Sequence, residues 1–148
     1  MGYAALHAGR VSVPRQVYFL TIVTHRRCPW FADFGVARLA VGEMRRLNDA
    51  GVVQSFAWVI MPEHVHWLMA LGTTHSLSVA VKMFKGRTAR MVSRMSGGGA
   101  LWQRTFFDRA VRDEEELRSM ARYIVANPLR RGLVRRIGDY PHWDAIWV

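Results

Sequence analysis

Two apolar segments joined by a tight turn constrain the fold of this chain most strongly. Residues 52–61 and 64–71 are rich in β-branched and aromatic residues, and Pro62-Glu63 lies between them. This pattern predicts two antiparallel strands. Polar side chains enter the second strand only as His64 and His66. We therefore expect a strand buried inside a sheet, with two histidines as its exceptions.

The two histidines point to a metal site. Alternate residues of a strand share a face, so His64 and His66 project side by side, while Val65 and Trp67 face the opposite side and can enter the core. Unpaired imidazoles are costly to bury. A divalent cation held by both rings would offset that cost. The alternative is two structural histidines satisfied by hydrogen bonds.

The other predicted elements complete an α+β fold. The chain order is strand, helix, two strands, helix, strand, helix, which is the ferredoxin-like split βαβ pattern. Asp113 and Glu116 resemble a capping box for the last helix, and Pro128 predicts its end near Asn127. We expect a four-stranded antiparallel sheet with helices mainly on one face and a C-terminal helix bearing Tyr123. The remaining predicted strands are 17–24 and 101–112, and the helices are 34–50, 76–95 and 113–127.

Length and composition predict a single domain, residues 1–148. Residues 1–15 are expected to form a basic N-terminal arm and residues 128–148 a C-terminal tail. Cys28 is the only cysteine, which excludes a disulfide. No apolar segment approaches the roughly 20 residues of a membrane span, and the start has no signal-peptide core. We expect a cytoplasmic protein.

The charge of the chain indicates a polyanionic partner. The formal net charge is +10, and all basic residues except Lys82 and Lys85 are arginine. Guanidinium groups suit phosphate better than ammonium groups do, which favours nucleic acid over a membrane surface. A coding bias toward arginine would explain the ratio of arginine to lysine but not the net charge.

The last predicted helix carries two polar residues on one flank. Tyr123 and Asn127 are four residues apart and hence neighbours on the helix surface. Glu116 lies on the same flank. A phenol that can attack and an amide oxygen that can bind a cation complement a strand with two histidines. Tyr123 as a core tyrosine, and Asn127 as a helix end before Pro128, are the alternatives.

Five segments in order resemble the single-tyrosine HUH transposases, and within them the REP-associated tyrosine transposases of bacteria. The resemblance extends over about residues 16–147. It departs at Glu63, where relatives often carry Asn, and at 140–145, where many relatives have a Ser-Ser pair. The matching segments are Tyr18–Arg27, Met61–His66, Leu101–Arg109, Arg112–Leu117 and Tyr123–Leu133.

The resemblance implies a bacterial, nucleoid-associated protein with an activity in which four residues have roles. His64 and His66 would bind Mg²⁺ or Mn²⁺, with Asn127 as the third ligand. Tyr123 would attack single-stranded DNA beside a palindromic hairpin repeat and form a 5′-phosphotyrosine, as a monomer or a homodimer. The general base is not identified, and Glu116 is a candidate. Two alternatives stay open: a non-catalytic, domesticated hairpin-binding protein, and a nuclease that activates water.

Several basic residues are candidate DNA contacts. Trp102 and Phe106 could stack on unpaired bases, although core packing is the alternative. For the basic residues the alternative is a solvated helix face. The candidates are Arg26, Arg27, Lys82, Lys85, Arg87, Arg104, Arg109, Arg130 and Arg131.

Overall fold

One five-stranded antiparallel sheet organises the protein. The computed structural model describes residues 15–147, and the predicted arm therefore lies almost wholly outside the described residues. The sheet order is β4-β1-β3-β2-β5, which confirms that the histidine-bearing strand is internal and antiparallel to its predecessor. The strands are β1 (Val17–Val23), β2 (Val53–Ile60), β3 (His64–Leu71), β4 (Phe107–Ala110) and β5 (Trp143–Ala145).

Within the described residues, three α-helices flank the sheet, and each begins at a side-chain cap. Asp33, Ser76 and Asp113 accept hydrogen bonds from backbone amides three residues later, which satisfies amides that have no partner within the helix. The Asp113 cap confirms the helix start predicted from the sequence. The helices are α1 (Phe34–Asp49), α2 (Leu77–Ser96) and α3 (Glu114–Arg130). No helix in the described part of the chain is long and apolar enough to cross a membrane.

The sheet has an apolar core on each face. On one face α1 and α2 cover alternate strand residues, including Val65 and Trp67, both fully buried. On the other face Val59 and Leu68 pack against Ala121 and Ile124 of α3. Because His64 and His66 alternate with Val65 and Trp67, they face α3. The expected division of the strand into two faces is confirmed.

The prediction of four strands was wrong. β5 extends the sheet beyond β2, pairing Ala57 with Ala145 and Val59 with Trp143, so residues 128–148 are not merely a tail. β5 has only three residues, which is too few to show the alternating pattern that predicts a strand. β4 is also shorter than predicted. Trp102 makes only an isolated bridge with Thr24, outside β4, and its indole N–H donates to Thr88 Oγ1 at 2.9 Å.

The placement of the last helix also differs from the prediction. α3 lies on the sheet face opposite α1 and α2, whereas helices mainly on one face were expected. The apolar stripe of a helix shows that the helix packs on a sheet but not which face it covers. It carries Tyr123 but is followed by β5, so it is not the last element. The helix continues through Pro128 to Arg130. Pro128 removes only one helical N–H, and the residue is buried.

Candidate active site

The centre of the sheet holds the two histidines side by side. The rings of His64 and His66 have centroids 4.6 Å apart, and both residues are buried. His66 lies opposite Thr21 on β1 and Val59 on β2. Neighbouring strands on both sides therefore fix the backbone from which both imidazoles project toward α3.

Each imidazole has a hydrogen-bond partner at Nδ1. Glu63 Oε1 lies 2.8 Å from His64 Nδ1, and Thr21 Oγ1 lies 3.1 Å from His66 Nδ1. A partner at one ring nitrogen sets the tautomer and leaves the other nitrogen for a ligand. Both histidines can thus offer Nε2 to the space between the sheet and α3.

Both imidazoles are held in their neutral form. Burial lowers the pKa of His66 from its usual 6.5 to about 3, and the adjacent His64 adds to the effect. Burial also lowers the pKa of His64, although the Glu63 carboxylate acts in the opposite direction. A neutral imidazole is the form that binds a metal ion.

α3 brings Asn127 to the first histidine. Asn127 is buried, and its amide Nδ2 lies 3.4 Å from His64 Nε2. The amide also has an oxygen, a ligand atom suited to hard cations. Within the described residues, no three His, Cys, Asp or Glu side chains are grouped to hold a metal ion. A cation here would therefore rely on two imidazoles and the Asn127 amide.

The predicted nucleophile stands beside the second histidine. The Tyr123 ring lies 6.0 Å from the ring of His66 and 6.2 Å from that of Phe19. It is half exposed, so the alternative of a core tyrosine is wrong. The Arg130 guanidinium lies over the ring, 3.9 Å from its centroid. Tyr123 therefore packs against neighbouring side chains and is still open to a ligand.

A cleft opens in front of Tyr123 and His66. Its volume is about 500 Å³, and Phe19, Met120, Arg109 and Glu116 are among its lining residues. Glu116 caps α3 by accepting from the Arg112 amide and pairs with the Arg109 and Arg112 side chains. The Arg112 hydrogen bond holds the pKa of Glu116 below its usual value. That environment favours a structural role over a general base.

The candidate DNA-contact residues separate into two groups. On the site side, Arg130 stacks on Tyr123, Arg109 lines the cleft, and Arg27 and Arg131 approach Glu63. Arg26 lies beside Arg27 in the turn after β1. The other group lies on the α2 side of the sheet, where Lys82, Lys85 and Arg104 share a groove with Trp102 and Phe106, and Arg87 pairs with buried Glu43.

Sequence reasoning missed the part played by Glu63. Its carboxylate is buried and contacts His64 and Arg131. Adjacent residues of a strand face opposite sides, but Glu63 precedes β3 in the turn and escapes that alternation. An acidic residue directly before a paired histidine was the available signal.

Comparison with known proteins identifies the family. The family model described as "Transposase IS200 like" matches residues 12–127. An Escherichia coli REP-associated tyrosine transposase is 31% identical over 87 residues, which is 57% of this chain and 50% of that protein. The chain thus aligns with about half the length of this relative. A Haemophilus influenzae protein classed provisionally as a REP-associated tyrosine transposase is 27% identical over 145 residues. The alignment covers 85% of this chain and 77% of the Haemophilus protein.

A solved structure shares the fold. It is that of a REP-associated tyrosine transposase bound to a REP hairpin, with a TM-score of 0.76 and 21% identity. The match covers 90% of this chain and 79% of that one. At this identity the match shows that the two proteins share a fold, and the family assignment rests on the family model. The chain belongs to the IS200-like transposase family.

Proposed function

We propose that this protein cuts and rejoins single-stranded DNA beside hairpin repeats, with Tyr123 as the nucleophile and a divalent cation at His64, His66 and Asn127. One observation carries the proposal. The half-exposed phenol stands 6.0 Å from the ring of His66, within a site where neutral imidazoles converge with a buried amide. A protein that only bound DNA would have no use for a nucleophile beside such a set of ligands.

The donor set fits a divalent cation. The Nδ1 atoms of His64 and His66 are engaged by Glu63 and Thr21, so Nε2 is the ligand atom each ring can supply. Imidazole nitrogen binds Mn²⁺ more readily than Mg²⁺, which prefers oxygen, so Mn²⁺ is the better test ion. When bound, the cation would neutralise charge developing on the phosphate and orient it for attack.

The proposed covalent step uses one tyrosine. Tyr123 Oη attacks the phosphorus of a DNA phosphodiester, the phenolic proton is lost, and the bond from phosphorus to the 3′ oxygen breaks. The 3′ oxygen takes up a proton and leaves as a free hydroxyl, while the 5′ phosphate stays on Tyr123. Because one phosphate ester replaces another, the step can reverse with a second 3′ hydroxyl, which rejoins the DNA.

The cleft beside Tyr123 has the size and chemistry for a nucleotide. At about 500 Å³ it falls in the range of small-ligand sites. Phe19 and Met120 supply apolar surface for an unstacked base, and Arg109 supplies a cation for the backbone. A base-paired duplex would not fit in this space, which is why we assign the cleft to the single strand.

Several features support a hairpin partner. The net charge of +10 provides non-specific attraction for phosphates. A protein with the same fold binds a REP hairpin. The groove on the α2 side carries Lys82, Lys85 and Arg104, while Arg27, Arg130 and Arg131 surround the site. We propose that these basic residues contact the phosphates of the hairpin stem and of the flanking single strand.

A covalent-adduct assay tests the proposal. Labelled single-stranded DNA containing palindromes from near the gene is incubated with the protein and either Mn²⁺ or EDTA, then run on a denaturing gel. Wild-type protein is expected to give a Mn²⁺-dependent protein–DNA band. Tyr123→Phe is expected to lose the band while still binding DNA. Tyr140→Phe serves as a matched control, because that tyrosine is half-buried and bonded to Ile60 O.

The same gel separates the competing functions. Cleavage with free 5′ phosphates and no adduct would mean that water is the nucleophile and Tyr123 is structural. Hairpin binding with no cleavage under any metal would identify a domesticated DNA-binding protein. Either result would contradict the proposed tyrosine chemistry.

A further inference from the structure

The Glu63 carboxylate is the common partner of three side chains. Its Oε1 lies 2.8 Å from His64 Nδ1 and 2.8 Å from an Arg131 guanidinium nitrogen, and Arg27 approaches it at 3.8 Å. Glu63 is only 7% exposed. A buried carboxylate with this many donors is held firmly, and each donor is held in turn.

The backbone of Glu63 is fixed as well. Its carbonyl accepts a hydrogen bond from the Thr24 amide at 3.0 Å, and the Thr24 hydroxyl, whose proton is shared with Cys28 O, lies 3.0 Å away. Thr24 is fully buried at the end of β1. The carboxylate therefore projects from an anchored turn, and the position of Glu63 does not depend on Arg131 alone.

These contacts link the turn before β3 to the end of α3 through a continuous set of hydrogen bonds. His64 meets Glu63 through Nδ1 and Asn127 through Nε2, the latter at 3.4 Å. Glu63 accepts a hydrogen bond from the Arg131 side chain. The backbone amide of Arg131 in turn donates to the backbone carbonyl of Asn127 at 3.0 Å. The orientation of the His64 ring and the last turn of α3 are thus set by the same carboxylate.

We propose that Glu63 is a positioning residue that aims His64 Nε2 and, through Arg131, locks the last turn of α3 so that Asn127 faces it. This role rests on the cation site of the proposed function. Arg131 bonds to Glu63 and would act on the cation site through that carboxylate. The ion pair between Glu63 and Arg131 thereby joins the helix that carries Tyr123 to the strand that carries the histidines.

Direct Mn²⁺ binding tests the role without any reaction. Titration calorimetry would compare wild type, Glu63→Gln, Arg131→Met and the double variant. Loss of an outer partner of a ligating histidine weakens metal affinity by about tenfold or more, so Glu63→Gln is expected to raise the Mn²⁺ Kd about tenfold. Arg131→Met should raise it less. The double variant should bind no more weakly than Glu63→Gln, since without the carboxylate Arg131 has nothing to hold.

The control is Arg118→Met, which breaks an exposed ion pair with Glu114 on the same helix and is expected to leave the Kd unchanged. A Glu63→Gln Kd within twofold of wild type, or additive effects in the double variant, would overturn the proposal. Absence of Mn²⁺ binding to wild type would overturn the cation site and this role together. Normal Mn²⁺ binding with no DNA adduct would overturn only the proposed chemistry.

A second measurement needs neither a variant nor a metal. Nitrogen-15 shifts of the His64 ring in the metal-free protein report its tautomer. With Glu63 accepting at Nδ1, the ring is expected to carry its proton on Nδ1 and to leave Nε2 unprotonated. A ring protonated mainly on Nε2 would overturn the positioning role even if every variant proved unstable.

Discussion

Acidification should destabilise this fold through His66. The residue is 8% exposed, and burial lowers the pKa of its imidazole from 6.5 to about 3. Between these values the unfolded chain binds a proton at this position and the folded chain does not. The contribution of neutral His66 to the free energy of unfolding is therefore fully present above pH 6.5, and it is lost as the pH falls toward 3.

The size of the effect follows from the two pKa values. Between pH 7 and pH 5 the unfolded imidazole becomes protonated while the folded one stays neutral, which removes about 2 kcal/mol of the free energy of unfolding. For a chain of this length that loss lowers Tm by roughly 4–8 °C. The buried His64 and His142 also have lowered pKa values and add to the pH dependence of the wild type.

Urea unfolding at pH 7 and pH 5, with EDTA to remove metal, isolates the contribution of His66. His66→Gln cannot titrate, so it should lose about 2 kcal/mol less than wild type over this interval. His25→Gln, in an exposed turn, should follow wild type. Identical losses in His66→Gln and wild type would refute the account of a neutral, buried His66.

Three further outcomes follow from the contacts. Asn127→Ala should weaken Mn²⁺ binding about tenfold in calorimetry, and an unchanged Kd would remove Asn127 from the ligand set. Arg130→Gln should slow adduct formation about fivefold at saturating Mn²⁺ by releasing the Tyr123 ring; an unchanged rate would mean that the 3.9 Å stacking does not help catalysis. Trp67→Ala, at a fully buried position, should cost about 3–5 kcal/mol in urea unfolding, and a loss below 1 kcal/mol would contradict the packing described.

Much of the sheet is predictable from the sequence because strand burial leaves a periodic signal. The run of apolar residues around His64 and His66 predicts an internal strand, and the two-residue spacing predicts that the rings share a face. The four-residue spacing of Tyr123 and Asn127 likewise predicts neighbours on one helix. These are local patterns, and local geometry fixes them.

The remainder depends on contacts between distant segments. Nothing in the amphipathic pattern of α3 specifies which face of the sheet it covers. β5 consists of three residues, Trp143–Ala145, and is stabilised by pairing with β2 rather than by its own propensity. Glu63 meets the Arg131 side chain only because that residue, 68 positions away, returns to the turn. Such convergence leaves no periodic trace in a single sequence.

Peptide mapping of the covalent adduct tests the central claim most directly. After Mn²⁺-dependent reaction and nuclease trimming, trypsin should cleave after Arg122 and Arg130 and release Tyr123–Arg130, a peptide with one tyrosine. We predict that this peptide carries the mass of a 5′-linked nucleotide. An unmodified Tyr123–Arg130 peptide, with DNA cleaved to free 5′ phosphates or attached to another residue, would contradict the assignment of Tyr123 as the nucleophile.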